Sequence, residues 1–260
     1  MPFLRWEIRI ALCLLPAIMS TSSFAACEAK SGSATAALVE LYTSQGCSSC
    51  PPADRRLSSL GRTPESALSV VPLSLHVGYW DYIGWRDQYA QAVFADRHRW
   101  LVRTNRSSAA YTPHFFIGGR ELRQSSDTLA GRVGQINATP ASASIRIGVE
   151  PAASGDVNVD VYARVAGGHP NASLYVALTE SGLTTDVTRG ENRGARLPHD
   201  HVVRTWVGPL GLKGGSLRVR REMAVPQAWK RENLAVVAFV QNDDNGTVMQ
   251  ALAARGCVAP

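Results

Sequence analysis

Val39–Asp54 reads VELYTSQGCSSCPPAD. With the residues just before it, the run AALVELY over 36–42 is apolar except for Glu40, which predicts a buried strand. Thr43 to Gly46 reads as a turn. Cys47 and Cys50 form a C-x-x-C, followed by Pro51-Pro52 and then ADRRLSSL, where Leu57 and Leu60 keep helical spacing. Proline suits the first turn of a helix, where its missing N–H is not needed. The motif is therefore expected at a helix N-terminus, directly after a buried strand. Such a terminus carries positive potential and free N–H groups that stabilise a thiolate. Cys47, at the outer end, is then the attacking thiol and Cys50 the resolving one. Ser48 and Ser49 add no charge. The competing reading is an inert structural disulfide.

Working outward, 70–77 reads as a second strand, and 81 to about 105 as helical and rich in aromatics. Pro113 precedes a strand over 114–117, Gly118-Gly119 makes a hairpin turn, 120–122 pairs back, and 128–136 is a last helix. Residues 137–144 (NATPASAS) have linker composition. Beyond them alternation marks 144–149, 157–165, 173–179, 217–223 and 233–242. That half reads as all-β, with about seven short strands at sandwich-like spacing.

The chain has 260 residues, 45% of them apolar and 18% charged, with a formal charge of +6. A real core can form and general disorder is excluded. The basic residues are scattered, so no nucleic-acid track is present. Arg5 and Arg9, then the ten apolar residues IALCLLPAIM, then small residues to Ala26, make a secretory signal with cleavage expected after Ala25. Ten apolar residues are too few to span a bilayer, and no other long apolar run follows. A periplasmic or secreted location is expected. Ala25-Ala26-Cys27 also resembles the end of a lipoprotein signal, which leaves a lipid anchor at Cys27 as the minor alternative. Cys27, Cys47, Cys50 and Cys257 remain after the signal, in an oxidising compartment where they can pair. Four cysteines allow three connectivities. The expected one ties Cys27 to Cys257 at the two chain ends and leaves Cys47–Cys50 as a separate pair.

VELYTSQGCSSCPPAD (39–54), HVGYWDYIGWRD (76–87) and YTPHFFIGG (111–119), with ENRGARLPHDHVVR (191–204) and LAVVAFVQND (234–243), resemble the exported, thioredoxin-like domain-of-unknown-function 1223 family. The chain departs from that family's pattern at Gly78 and His114. The resemblance implies an α/β thioredoxin-like domain and export, with no established activity. The fold expected is thus a signal peptide over 1–25, a thioredoxin-like α/β domain with a helical insertion over 26–140, and an all-β sandwich-like domain over 141–260. Thr112-Pro113 is expected as a cis-proline element packed against the sulfurs, a minority isomer that needs tertiary enforcement. Glu40 is open to two readings: a buried proton relay near the second sulfur, as in related oxidoreductases, or a water-facing residue of an edge strand.

The remaining residues of interest have plain readings. Tyr79, Trp80, Tyr82 and Trp85 are read as core rather than as a rim that holds a peptide partner, and Asp81 as an N-cap. His199 and His201 supply only two ligands, so a polar loop or strand edge is read there and no metal. His114 is read as packing. The leading function is thiol–disulfide exchange with protein or peptide thiols through Cys47 and Cys50, with no cofactor, because the cysteine pair carries the electrons. The rivals are a non-catalytic binding or adaptor protein with a structural Cys47–Cys50 bond, and a copper-handling chaperone.

Overall fold

The computed structural model describes residues 27–60, 69–123, 128–167 and 171–259; the expected leader and its cleavage point lie outside them. In chain order the first elements are β1 (Cys27–Lys30), β2 (Ala37–Thr43), α1 (Pro51–Ser58), β3 (Val70–His76), a 3₁₀ turn (Gly78–Ile83) and α2 (Ala92–Thr104). Next come β4 (His114–Ile117), β5 (Arg120–Glu121), α3 (Leu129–Asn137), β6 (Ala143–Pro151), β7 (Val157–Val165), β8 (Ala172–Glu180) and β9 (Leu183–Asp186). The last are β10 (Arg196–His199), β11 (Val202–Gly211), β12 (Ser216–Met223), β13 (Leu234–Asn242) and β14 (Val248–Arg255).

β2 is buried along its whole length because a layer covers each face. Ala37, Val39 and Leu41 pack with Leu57 of α1 and with Leu129 and Val133 of α3. Leu38 and Tyr42 face the other way, toward Phe94 and Leu101 of α2. β3 pairs parallel with β2, and β4 antiparallel on its other side. The hairpin from β4 to β5 turns on Gly118 and Gly119, both at positive φ. A Cβ on Gly119 would sit 1.7 Å from the Gly246 carbonyl oxygen, so only glycine fits there.

The expected pair of independent units, an α/β thioredoxin-like domain followed by a β-sandwich, is not the architecture. One eight-stranded mixed sheet runs β14-β13-β8-β11-β3-β2-β4-β5 through both halves of the chain. Its two parts meet where β11 joins β3, by the single registered pair Val202↔Ser74 and the hydrogen bond from Ser74 N–H to the His201 carbonyl at 2.8 Å. A second, four-stranded antiparallel sheet, β1-β6-β7-β12, packs on the β8–β13 region through Ile145, Ile147, Val159 and Val161 against Leu174, Val176, Val236 and Ala238. β1 thus leaves the first half and pairs with β6.

The correction has a physical source. Alternation holds for β6 and β7, which have one wet face. β8 is buried at every position, because Leu174 and Val176 meet the four-stranded sheet while Tyr175 and Ala177 meet the layer that contains α2. A strand covered on both faces belongs to a layered sheet and not to a free-standing sandwich. The expected linker is also built in: Thr35 N–H bonds to the Thr139 carbonyl and Ala141 N–H to the Ser33 carbonyl. The helix expected over 81–105 is a 3₁₀ turn ended by Gly84 at φ 97°, then α2. No described helix is long and apolar enough to cross a membrane.

Candidate functional site

The C-x-x-C loop leaves the C-terminal end of β2 and runs into α1, with Cys50 as N-cap and Pro51-Pro52 opening the helix. Cys47 and Cys50 are joined by a disulfide, as are Cys27 and Cys257. Both motif cysteines are fully buried, while Ser48 and Ser49 between them are exposed. The loop between β9 and β10 reaches back over the motif. Asn192 Nδ2 donates to the Gln45 and Cys47 carbonyls, each at 2.9 Å, and Glu191 Oε2 accepts the Ser48 N–H at 3.0 Å. That Ser48 N–H draws the Glu191 carboxyl below its ordinary range.

Beneath the motif lies a buried polar cluster. Thr43 and His76 are registered partners at the ends of β2 and β3, on the sheet face that α1 covers. His76 Nδ1 is 2.7 Å from Asp87 Oδ2, which also accepts the Gln45 N–H at 2.8 Å. Burial opposes the charge on His76, but Asp87 and then Asp54 outweigh it, so its pKa is raised. Burial would raise Asp87; the His76 charge and the hydrogen bonds from His76, Gln45 and Tyr89 carry it below its ordinary value. Asp54 sits in α1, 8% exposed, and desolvation pushes its carboxyl up to about 6 against the pull of His76 and Thr43. His199 of β10 packs its ring 5.1 Å from that of His76, and burial together with the His76 charge lowers it to about 3. Asp54 Oδ1 and His76 Nε2 have no hydrogen-bond partner in the protein.

The Thr112–Pro113 peptide bond is cis. Trp80 links it to the motif: its indole N–H donates to Thr112 Oγ1 at 2.6 Å, and its Cβ packs close to Gly46. The aromatic group is not core. Tyr82 is 82% exposed and Tyr79 38%, because they ride on the 3₁₀ turn rather than on a helix facing the sheet. Asp81 does not cap that turn, whose N-cap is Val77; its Oδ1 accepts the Asp87 N–H at 3.1 Å.

Glu40 does not join this cluster. It follows Leu38 and precedes Tyr42, on the face that α2 covers, opposite α1. There it meets the Arg97 guanidinium at 2.6 and 3.0 Å, and Arg97 also lies over the rings of Tyr175, Phe239 and Trp206. The chain thus buries an ion pair, not a water-facing edge or an isolated acid. His114 is hydrogen-bonded on both sides, to His98 at 2.9 Å and Glu121 at 3.0 Å, and Tyr111 stacks on it at 3.9 Å. His199 and His201 do not share a strand face, since His201 turns the chain at φ 59°. Among the described residues no group of three or more His, Cys, Asp or Glu is arranged to hold a metal ion.

The sequence reading missed Asp54, His76, Asp87, Glu191 and Asn192. Asp54 carried a signal: it lies three residues before Leu57, on the apolar stripe of its helix.

Protein AGR_C_4864 from Agrobacterium tumefaciens has a similar fold, with 24% identity, TM-score 0.62, and coverage of 87% of this chain and 96% of its own. HBP35 of Porphyromonas gingivalis is similar at 15% identity and TM-score 0.63, with coverage of 85% of this chain and 75% of its own. A comparison with curated proteins returns no match. The sequence profile of the family described as Protein of unknown function (DUF1223) matches residues 38–241, which takes in the motif, the buried cluster beneath it and the loop that clasps it, and the chain belongs to that family.

Proposed function

We propose that this protein exchanges thiols and disulfides with protein or peptide partners outside the cytoplasm, through Cys47 and Cys50. The observation that carries the reading is how little the Cys47–Cys50 bond ties together. It spans three residues of a loop that the backbone already holds between β2 and α1. A bond across so short a ring adds little to stability, so its chemistry is the better reason for its presence. Helix α1 begins at Cys50, and the potential at its N-terminus favours the thiolate that exchange needs. Two disulfides fit an oxidising compartment.

With the motif oxidised, a partner thiolate attacks Cys47, Cys50 leaves, and a second partner thiol resolves the mixed disulfide; with the motif reduced, the Cys47 thiolate attacks a partner disulfide and Cys50 resolves the mixed disulfide. Cys47 has no exposed surface, so attack requires the clasp of Glu191 and Asn192 to lift. Cys47→Ser abolishes turnover in a dithiol-driven reduction assay with a disulfide-bonded protein substrate. Cys50→Ser instead accumulates mixed disulfides with that substrate. Wild-type behaviour from both variants defeats the proposal.

The burial of both sulfurs favours a second reading, a non-catalytic binding protein with a structural Cys47–Cys50 bond. The reduction potential decides between them: a structural bond lies below about −300 mV and an exchanging one above it.

A further inference from the structure

The loop that clasps the motif carries exposed arginines on both sides of its anchors: Arg189 and Arg193 flank Gly190, Glu191 and Asn192. The segment after the 3₁₀ turn meets the same place. A Cβ on Gly46 would sit 3.3 Å from Ile83 Cδ1, and one on Gly190 would sit 3.2 Å from Trp85 Cβ. The Trp85 indole N–H donates to Gln45 Oε1 at 2.9 Å. Arg86, also exposed, follows Trp85 directly. Arg86, Arg189 and Arg193 are therefore each the chain neighbour of a residue that touches the motif loop or Trp85 beside it. Arg55 and Arg56 extend the basic surface along α1, which packs on β10.

The acids near this rim are already spent. Asp54 and Asp87 are buried, and Asp81 accepts the Asp87 N–H. Asp186 lies 4.0 Å from Arg196. Among the described residues Arg86, Arg189 and Arg193 enter no ion pair. Exposed guanidinium groups around an uncharged disulfide make a field that attracts anions, and the N-terminus of α1 adds to it. Glu191 marks what this field accepts. It is an exposed carboxylate seated on the Ser48 N–H at 3.0 Å, between Arg189 and Arg193 in the chain.

We infer that the partner presents its cysteines in an acidic segment, whose Asp or Glu side chains dock on Arg86, Arg189 and Arg193 while one of them takes the place of Glu191 at the Ser48 N–H. The inference deepens the exchange reading above and rests on it. Glu191 is then a placeholder. Its displacement loosens the loop together with the Asn192 bonds to Gln45 and Cys47, and so uncovers the Cys47 sulfur. A partner of the right charge thus opens the site with which it reacts. Arginine suits the task, because its planar fork binds a carboxylate through two parallel hydrogen bonds. A neutral thiol gains neither the attraction nor the replacement of one carboxylate by another.

The test is the rate at which two dithiol peptides reduce the oxidised full chain. Glutamates flank the cysteines in one peptide and glutamines in the other. In each case the peptide loses two electrons and two protons as it closes its own disulfide, and the Cys47–Cys50 pair gains them. At about 20 mM salt the glutamate peptide reacts about 10-fold faster, and the gap closes at about 500 mM, where the Debye length falls to about 4 Å. Arg189→Glu with Arg193→Glu brings the ratio of the two rates to unity or below. Both positions are exposed, so the ratio is read on a folded protein, and the salt dependence of wild type needs no variant. Docking is measured apart from chemistry by fluorescence anisotropy of a labelled glutamate peptide with serines in place of its cysteines. Glu191→Gln binds that peptide about 5-fold more tightly than wild type, the worth of one hydrogen bond that no longer has to be displaced. Equal rates for the two peptides at low salt, or equal affinities of Glu191→Gln and wild type, overturn the inference and leave exchange standing. Equal rates with sedimentation of the protein on anionic lipid vesicles assign the rim to a membrane surface instead. A motif that no thiol reduces defeats the exchange reading, and the anisotropy then decides the acidic partner alone: salt-sensitive binding of the serine peptide upholds it and no binding overturns it.

Discussion

The two disulfides do opposite work. Cys27–Cys257 closes a ring across 230 residues, and Cys47–Cys50 closes one across three. In the chain-entropy picture the first removes on the order of 5 kcal/mol of freedom from the unfolded chain and the second about 2. The first joins the start of β1 to the segment just after β14, two places 230 residues apart in the chain. The second lies within one loop whose ends β2 and α1 already fix. Beneath the first, buried side chains are apolar, such as Ile147 and Val149. Beneath the second they are Asp54, His76, Asp87 and His199. One region is organised for cohesion and the other keeps titratable groups in the core at a cost.

Three experiments sharpen or break this contrast. The largest effect is expected from removing the terminal bond. Cys27→Ala with Cys257→Ala lowers unfolding free energy by about 4 kcal/mol, against about 2 kcal/mol or less for Cys47→Ala with Cys50→Ala. Urea unfolding measures both, and a larger loss from the motif pair would reverse the assignment of roles.

The second effect is smaller and depends on pH. The Asp54 carboxyl has a pKa raised from 3.8 to about 6 in the folded protein. The folded state therefore binds the proton more tightly. Its contribution is fully present below pH 3.8 and is lost as pH rises through 6. The shift corresponds to about 3 kcal/mol. Asp54→Asn removes this dependence, so its stability relative to wild type improves by about 3 kcal/mol between pH 4 and pH 7. A constant difference across that range would place the carboxyl in water and end the contrast.

The smallest effect concerns the clasp. Asn192→Ala removes two hydrogen bonds to the motif loop, to Gln45 and Cys47. At about 1 kcal/mol net apiece they hold the cover closed by a factor of roughly 10 to 30. Reduction by dithiothreitol accelerates by up to that factor, and the unfolding free energy falls by no more than about 2 kcal/mol. An unchanged rate means that something other than this loop shields Cys47.

Much of the motif's setting was legible in the chain. Strand β2, the proline start of α1 and the Gly118-Gly119 hairpin follow from local rules that tertiary structure does not overturn. Both pairings followed from cysteine placement. The architecture was not legible, because a strand such as β8 is apolar at consecutive positions and nothing local says which layers will cover it. The acid near the motif was misplaced for a related reason. Glu40 stands out in an apolar run, yet strand parity sends it to the face of α2 and Arg97. Asp54 looks like an ordinary acidic residue in a first helical turn. It is buried by tertiary packing, because α1 lies on β2 and β3 and also on β10 from the far half of the chain.

The position of β1 bears on how the chain reaches its native state. A ribosome releases this strand early, but its partner β6 lies more than a hundred residues later, in the register Cys27↔Val149. The segment after β1 waits longer still. Gln250 in β14 accepts the Ala36 N–H at 2.8 Å and donates to the Gly32 and Ala34 carbonyls at 3.1 and 3.0 Å. Contacts of such sequence separation slow folding. A nascent chain therefore cannot settle the segment from Cys27 to Ala36 until Gln250 has emerged, and any product truncated before Gln250 leaves β13 without β14 and Cys27 without Cys257. Completion of synthesis is thereby written into the fold as a condition for closing it, and truncated chains are marked for proteases by their own loose ends.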